Sequence, residues 1–95
     1  MFISVRRYTF GSGSVEEIAK LVQEEFVPLV SRINGFRAYH LIDAGGNSLA
    51  TINVFDDRAG GEESDRRAAA WAGERLAAFQ LSPAEITEGE VVVEG

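Results

Sequence analysis

A few side chains of this sequence have the chemistry to handle protons or developing negative charge. His40 is the only histidine, and imidazole titrates near neutrality, so His40 suits a base that removes a proton from a phenol or a quinol. Asn53 lies between apolar residues, and a buried amide there would donate a hydrogen bond to a substrate carbonyl or a developing anion. Each also has a structural alternative, because His40 would serve as a hydrogen-bonded wall residue and Asn53 as the partner of a neighbouring side chain.

Aromatic and cationic side chains provide candidate binding groups. Trp71 would either stack on a planar ligand as a cavity wall or seal the core beneath a helix. Arg6 and Arg7 are neighbours on a strand and point to opposite faces, so only one of them can line a cavity. That arginine, or Arg37, would hold a carboxylate or phenolate, or else form a solvated or intersubunit ion pair with the acidic C-terminal strand. Tyr8 divides in the same way between a binding role and a structural one.

Composition narrows the class of protein that must carry these groups. The chain has 95 residues, of which 45% are hydrophobic, so we expect a single domain over residues 1–95. A formal net charge of -6 disfavours nucleic acid and anionic membranes as partners. The sequence contains no cysteine, and its start lacks the order of charged and apolar residues found in signal peptides, so we expect a cytoplasmic protein. The acidic clusters lack the spacing of a metal site, so no metal is expected.

Strands are indicated by β-branched and aromatic residues bounded by glycine. The segments Phe36–Asp43 and Ser48–Phe55 predict an antiparallel hairpin closed by Ala44–Asn47, a cluster that tolerates positive φ. Phe2–Phe10 predicts a first strand. Ala84–Glu94 predicts the last strand, with a bulge or bend at its glycine.

Two helices are predicted between these strands. Ser14 begins a capping-box pattern before an apolar stripe that runs to Val30. Pro28 lacks an amide N–H, so we expect a kink or a loosened last turn there. Asp57 can cap the second helix, but the two glycines that follow weaken its first turn, so the start is expected to slip toward Ser64.

The order of elements is β-α-β-β-α-β, which predicts an α+β, ferredoxin-like fold with a four-stranded antiparallel sheet. Right-handed connections place both helices on one face of that sheet. The first three strands are substantially apolar on both faces, so the face without helices needs cover. We therefore predict a homodimer in which two sheets pack face to face and enclose a cavity between them.

The sequence also resembles the antibiotic biosynthesis monooxygenase family. The residues that carry the resemblance are Phe26–Leu29, Asn34–Tyr39, Ile52–Asp57, Ala59 and Trp71. The resemblance covers nearly the whole chain and implies a dimeric α/β barrel built from ferredoxin-like protomers. It implies activity less directly, because the superfamily contains cofactor-independent oxygenases of aromatics or quinols, heme-degrading enzymes, isomerases and proteins without an assigned reaction.

Two functional hypotheses follow. In the first, the protein is a cofactor-independent monooxygenase: Trp71, Phe55 and the other aromatic residues hold a small flat substrate, Asn53 and one arginine stabilise its oxyanion, and His40 or Tyr39 helps to remove a proton. No cofactor is expected, and heme ligation by the family's route lacks its histidine, because the second helix has none. In the second, the protein is a non-catalytic dimer that binds a small molecule or acts as a structural part.

Overall fold

A four-stranded antiparallel sheet with helices on one face forms the protein in the computed structural model, which describes residues 1–95. The strands lie in the order β2-β3-β1-β4, so the first and third strands are central and the fold is ferredoxin-like, as predicted. No helix in the structure is long and apolar enough to cross a membrane. The elements, in chain order, are β1 (Phe2–Thr9), α1 (Val15–Leu21), a π-helical turn (Val22–Phe26), α2 (Val27–Val30), β2 (Phe36–Gly45), β3 (Ser48–Phe55), α3 (Arg58–Arg75), a 3-10 turn (Ala77–Phe79) and β4 (Glu85–Glu90).

Helix α3 begins at Arg58, so the predicted slip of its start to Ser64 is wrong. Asp57 caps the helix, with its carboxylate accepting the Gly60 amide at 3.1 Å. Gly60 and Gly61 do not fray the first turn, because both are buried against the sheet. A Cβ at Gly60 would lie 2.7 Å from the Phe55 ring, so the glycines let the helix approach the sheet closely.

The first helical segment departs from regular α-helix next to Pro28, as predicted. Ser14 caps α1, with its hydroxyl accepting the Glu17 amide at 3.2 Å. The π-helical turn Val22–Phe26 comes immediately before α2, which carries Pro28 in its first turn. The proline has no N–H to donate to the residue four positions earlier, and the wider π-helical turn accommodates the missing hydrogen bond.

The last strand is shorter than predicted. β4 ends at Glu90, whose partner on β1 is Phe2, so Val91 finds only the Met1 carbonyl oxygen, at 2.8 Å. The valines that follow are exposed. Gly89 pairs in regular register with Ile3, so the predicted bulge is absent there, and the irregular positions lie in β2 instead.

The two faces of the sheet differ in their surroundings. The core lies on the helix-facing side and consists of Phe10, Ile18, Val22, Phe26, Val30, Ile33, Leu49, Phe55 and Leu76. The opposite face carries no helix, yet it is largely apolar. We call it the bare face, and its apolar residues are Ile3, Val5, Ala38, Ile42, Ala50, Ile52 and Val54.

Candidate active site

An apolar pocket lies inside a single chain, between the helices and the sheet. The sequence predicts a cavity between the sheets of two protomers, whereas this pocket lies within one protomer. The pocket is small, about 40 Å³, and we call it the inner pocket. Its walls are mostly hydrophobic, and they include the predicted site residues Arg6, Tyr8, Tyr39, Asn53 and Trp71.

A wider cleft of about 360 Å³ adjoins the inner pocket. We call it the outer cleft, and it lies between the C-terminal half of α3 and the segment that leads into β4. Small residues of α3, such as Ala69 and Gly73, form part of its wall. Arg6 and Tyr8 line both spaces, so a ligand that fills the cleft would meet these two side chains on its way inward.

The sheet register aligns a row of polar side chains beneath α3. Tyr39 of β2 lies opposite Asn53 of β3, which lies opposite Ser4 of β1, which in turn lies opposite Glu88 of β4. Directly paired residues of neighbouring strands share a face, so all four are on the helix-facing side. The row joins the pocket wall to the exposed edge strand.

Arg6 is the arginine that lines the pocket, while Arg7 lies on the bare face opposite Glu85. The Arg6 side chain is only 7% exposed. Its guanidinium donates to the Tyr8 hydroxyl at 3.2 Å and to the main-chain oxygen of Asp65 at 3.4 Å. Its Nε lies 3.5 Å from a carboxylate oxygen of Asp65 but makes no hydrogen bond. Arg6 is therefore a buried cation paired with Asp65, and its positive charge borders the pocket, where it would attract an anion.

Asn53 points between the sheet and α3, where it is 1% exposed. Its Oδ1 accepts a hydrogen bond from the Ser64 hydroxyl at 3.3 Å. That bond occupies the amide oxygen, and Asn53 also lines the inner pocket.

Trp71 forms a wall of the inner pocket and is held from one side. Its Nε1 donates to Glu25 at 3.3 Å, and Arg75 donates to both oxygens of the same carboxylate, at 2.8 and 2.9 Å. The Phe26 ring packs on the Trp71 ring with centroids 5.3 Å apart, and on the Tyr39 ring at 5.4 Å. Glu25 and Phe26 both belong to the π-helical turn, so that turn positions the indole.

Tyr39 is placed as a hydrogen-bond donor. Burial raises the pKa of its phenol well above the ordinary value, and the nearby Tyr8 acts in the same direction while Arg6 opposes it. A phenol that resists ionisation does not serve as a base near neutral pH.

Three of the predicted site residues lie away from the pocket. His40 is exposed on the bare face, opposite Ile52. Arg37 is exposed and forms an ion pair with Asp56 at 2.5 Å. Phe55 is fully buried and packs against the Phe36 ring, with centroids 5.9 Å apart. The structure contains no group of three or more acidic or histidine side chains placed to hold a metal ion.

Ser4, Ser64 and Asp65 were not predicted as site residues from the sequence. Ser64 is fully buried beside Asn53, and the Ser4 hydroxyl donates to Asp65 at 3.1 Å. Helical spacing could have identified two of them. Ser64 and Asp65 lie four positions after Gly60 and Gly61, so they share the buried face of the helix. In the sequence Asp65 resembles its acidic neighbours Glu62 and Glu63, a run that is typical of a solvated surface.

Comparison with known proteins supports the fold. No family model matches the chain, and no curated protein matches it. Solved structures do match. A dimeric ferredoxin-like protein from an uncultured marine organism has a TM-score of 0.78 at 17% identity, over 99% of this chain and 96% of the other.

The matching structures include enzymes. SnoaB, a cofactor-independent oxygenase from Streptomyces nogalater, has a TM-score of 0.71 at 20% identity, over 98% of this chain and 94% of the other. The heme-degrader MhuD from Mycobacterium tuberculosis, solved with two hemes in its active site, has a TM-score of 0.74 at 18% identity, over 100% and 99% of the two chains. At such low identity the likeness shows the fold alone.

Proposed function

We propose that this protein is a homodimeric, cofactor-independent monooxygenase that acts on a small aromatic or quinol-type molecule. The observation that carries the proposal is the meeting of Arg6, Tyr8 and Asn53 with an aromatic wall in one mostly apolar pocket. Such a combination of an apolar cavity with a few convergent polar groups is typical of ligand sites. The shared fold with a cofactor-independent oxygenase adds support.

In this proposal the pocket residues have two roles, which are to hold the substrate and to stabilise its anion. The polar end of the substrate points into the inner pocket, where Trp71 forms a wall, and the oxygen of the deprotonated substrate accepts hydrogen bonds from Arg6 and Asn53. An electron-rich anion of this kind can reduce O₂ directly. The substrate supplies the electrons. In a quinol one ring C–H becomes C–OH as the ring is oxidised to a hydroxyquinone, and in an anthrone-type phenol the CH₂ group becomes a carbonyl. In both cases one oxygen atom of O₂ enters the product and the other leaves as water.

Cavity size determines where such a substrate sits. The inner pocket, at about 40 Å³, is far below the several hundred Å³ of ordinary ligand sites. The outer cleft, at about 360 Å³, accommodates a small ring. The ring of the substrate therefore lies in the outer cleft, and its oxygen points past Arg6 and Tyr8 into the inner pocket.

Heme is a poor candidate for this site. The protein has one histidine, His40, and it lies on the bare face, so no imidazole reaches the inner pocket. Imidazole is a common axial ligand of heme iron, with thiolate and phenolate as the main alternatives. A heme in this pocket would find only tyrosine, and the buried Tyr39 resists ionisation.

The bare face is the dimer interface in this proposal. Its apolar residues come from all three longer strands and have no cover within the chain. A contiguous apolar sheet face is usually covered by a partner, and a second copy provides a complementary face by symmetry. The fold of a dimeric ferredoxin-like protein agrees with this arrangement.

Oxygen uptake with hydroquinones and anthrone-type phenols tests the activity. We expect Asn53→Ala to lower kcat by about 10² or more, since it removes one donor to the oxyanion. His40→Ala is the matched control and should keep the wild-type rate, because His40 lies outside the pocket. Uptake no faster than in buffer, or equal rates for wild type and Asn53→Ala, would exclude the proposed reaction.

A non-catalytic small-molecule-binding dimer is the second candidate, because the same pocket and cleft would hold a ligand without any reaction. Quenching of Trp71 fluorescence by an aromatic ligand, without oxygen uptake, would identify this function. The two candidates share a ligand site and differ only in the reaction.

A further inference from the structure

Asp65 of α3 lies beside Arg6 and does not itself line the inner pocket or the outer cleft. It receives a hydrogen bond from the buried Ser4 hydroxyl at 3.1 Å, and its carboxylate lies 3.5 Å from the Arg6 Nε. The Asp65 side chain is 17% exposed. The charged groups that face it are Arg6 from β1 and Glu88 from β4. Asp65 thus has one positive and one negative neighbour on the sheet.

Arg6 connects this carboxylate with the proposed ligand. It lines the inner pocket and the outer cleft, and its Nε is the buried side-chain polar atom of the protein that lacks a hydrogen bond. An anion that binds Arg6 from the cleft would share the guanidinium with Asp65. The repulsion between the two anions raises the pKa of Asp65.

We propose that Asp65, assisted by Glu88, accepts the proton that a hydroxyl ligand releases when it binds as an anion to Arg6 and Tyr8. This inference rests on the ligand site of the proposed function. The O–H bond of the ligand breaks and its electron pair stays on the ligand oxygen. The proton moves through water to a carboxylate oxygen of Asp65, so no further reactant is needed.

The environment of Asp65 suits this role. Desolvation, followed by a hydrogen bond with Glu88, raises its pKa from 3.8 to about 6, although Arg6 and Ser4 act in the opposite direction. At neutral pH the free protein therefore has an ionised Asp65 that is a stronger base than an ordinary aspartate. Once the ligand anion occupies Arg6, the pKa of Asp65 rises further, and the proton stays on the protein.

The other candidate bases are placed less favourably. His40 lies on the bare face and the pKa of Tyr39 is raised, so neither accepts a proton from a ligand in the cleft. Asp65 is the carboxylate nearest to Arg6 in the structure. The row that runs through Ser4 to Glu88 then leads from the pocket to solvent.

Proton counting during binding tests the inference. The probe is 4-cyanophenol, which is mainly neutral in solution at pH 7 and whose anion absorbs at longer wavelength. Calorimetry in phosphate and in Tris gives the number of protons released per ligand, and the absorption spectrum gives the ionisation state of the bound probe. For the wild type we expect a bound anion and the same heat in both buffers, because the protein keeps the proton.

Variants separate Asp65 from its neighbours. Asp65→Asn should either release one proton to the buffer per bound anion or bind the probe in its neutral form. Glu63→Gln is the matched control on the same helix, since Glu63 pairs with Arg66 and Arg67 outside the cleft, and it should behave as the wild type. Glu88→Gln changes only an exposed side chain, so its folding is secure, and it should move proton retention to lower pH.

The outcomes distinguish this inference from the proposed reaction. Binding of the anion with full proton release by the wild type, or identical behaviour of wild type and Asp65→Asn, would overturn the inference while leaving the ligand site in place. Absence of probe binding would overturn both the site and the inference. Proton retention without any oxygen uptake would support the role of Asp65 and remove the monooxygenase.

Discussion

The close approach of α3 to the sheet yields a sharp prediction, because one helix contains two glycines in opposite surroundings. A Cβ at Gly61 would fall onto ring atoms of Phe2, which is fully buried. A Cβ at Gly73 would meet nothing within 4 Å. Both positions lie inside α3, so Gly→Ala gives the same gain in helix propensity, about 1 kcal/mol, at each.

At Gly61 the cost of packing should exceed the gain in helix propensity, so the alanine variant should be less stable than the wild type. Phe2 has no free space into which to move, so the added methyl group displaces the helix or the ring, and overpacking of this kind costs about 1–3 kcal/mol. Gly61→Ala should therefore destabilise the protein by about 1 kcal/mol, taking the propensity gain into account. Gly73→Ala should stabilise it by about 1 kcal/mol.

Urea denaturation followed by far-ultraviolet circular dichroism measures both variants. Protein concentration must be the same throughout, because dimerisation would make apparent stability depend on it. A free energy of unfolding for Gly61→Ala equal to or above that of Gly73→Ala would refute the close packing of α3 on β1. The same displacement should lengthen the Ser4 to Asp65 hydrogen bond, so Gly61→Ala should also weaken ligand binding at Arg6.

Further expectations concern charge and assembly. The Arg75 hydrogen bonds lower the pKa of Glu25, so their stabilisation is present above its ordinary value and is lost as pH falls; Glu25→Gln should remove this dependence and alter Trp71 fluorescence. For Asp65 the sign is opposite, because its pKa in the folded protein is raised to about 6. The free energy of unfolding should therefore fall as pH rises from about 4 to 6, by about 1 kcal/mol after allowance for solvent screening. Urea titrations of Asp65→Asn should lack this pH dependence. Ile52→Lys on the bare face should convert the dimer to a monomer in light scattering, and an unchanged mass would contradict the proposed interface.

The sequence determined the order of elements and most of their bounds. Alternation along Phe2–Phe10, the glycine turn before Ser48 and the caps at Ser14 and Asp57 act through local backbone preferences, which require no tertiary information. The alternation in β1 also established that only one of Arg6 and Arg7 could face a pocket. It could not establish which one, because both faces of the sheet are apolar.

The site depended on relations between elements that the sequence does not show. Strand register aligns Ser4, Asn53 and Glu88 in one row. The close packing of Gly60 and Gly61 on the sheet places Asp65 next to Arg6. Asp65 resembled an ordinary surface carboxylate in sequence, since desolvation is a property of the folded surroundings and not of the residue. The same folding directed His40 to the opposite face. Local chemistry therefore identified the candidate groups, and the tertiary structure decided which of them meet.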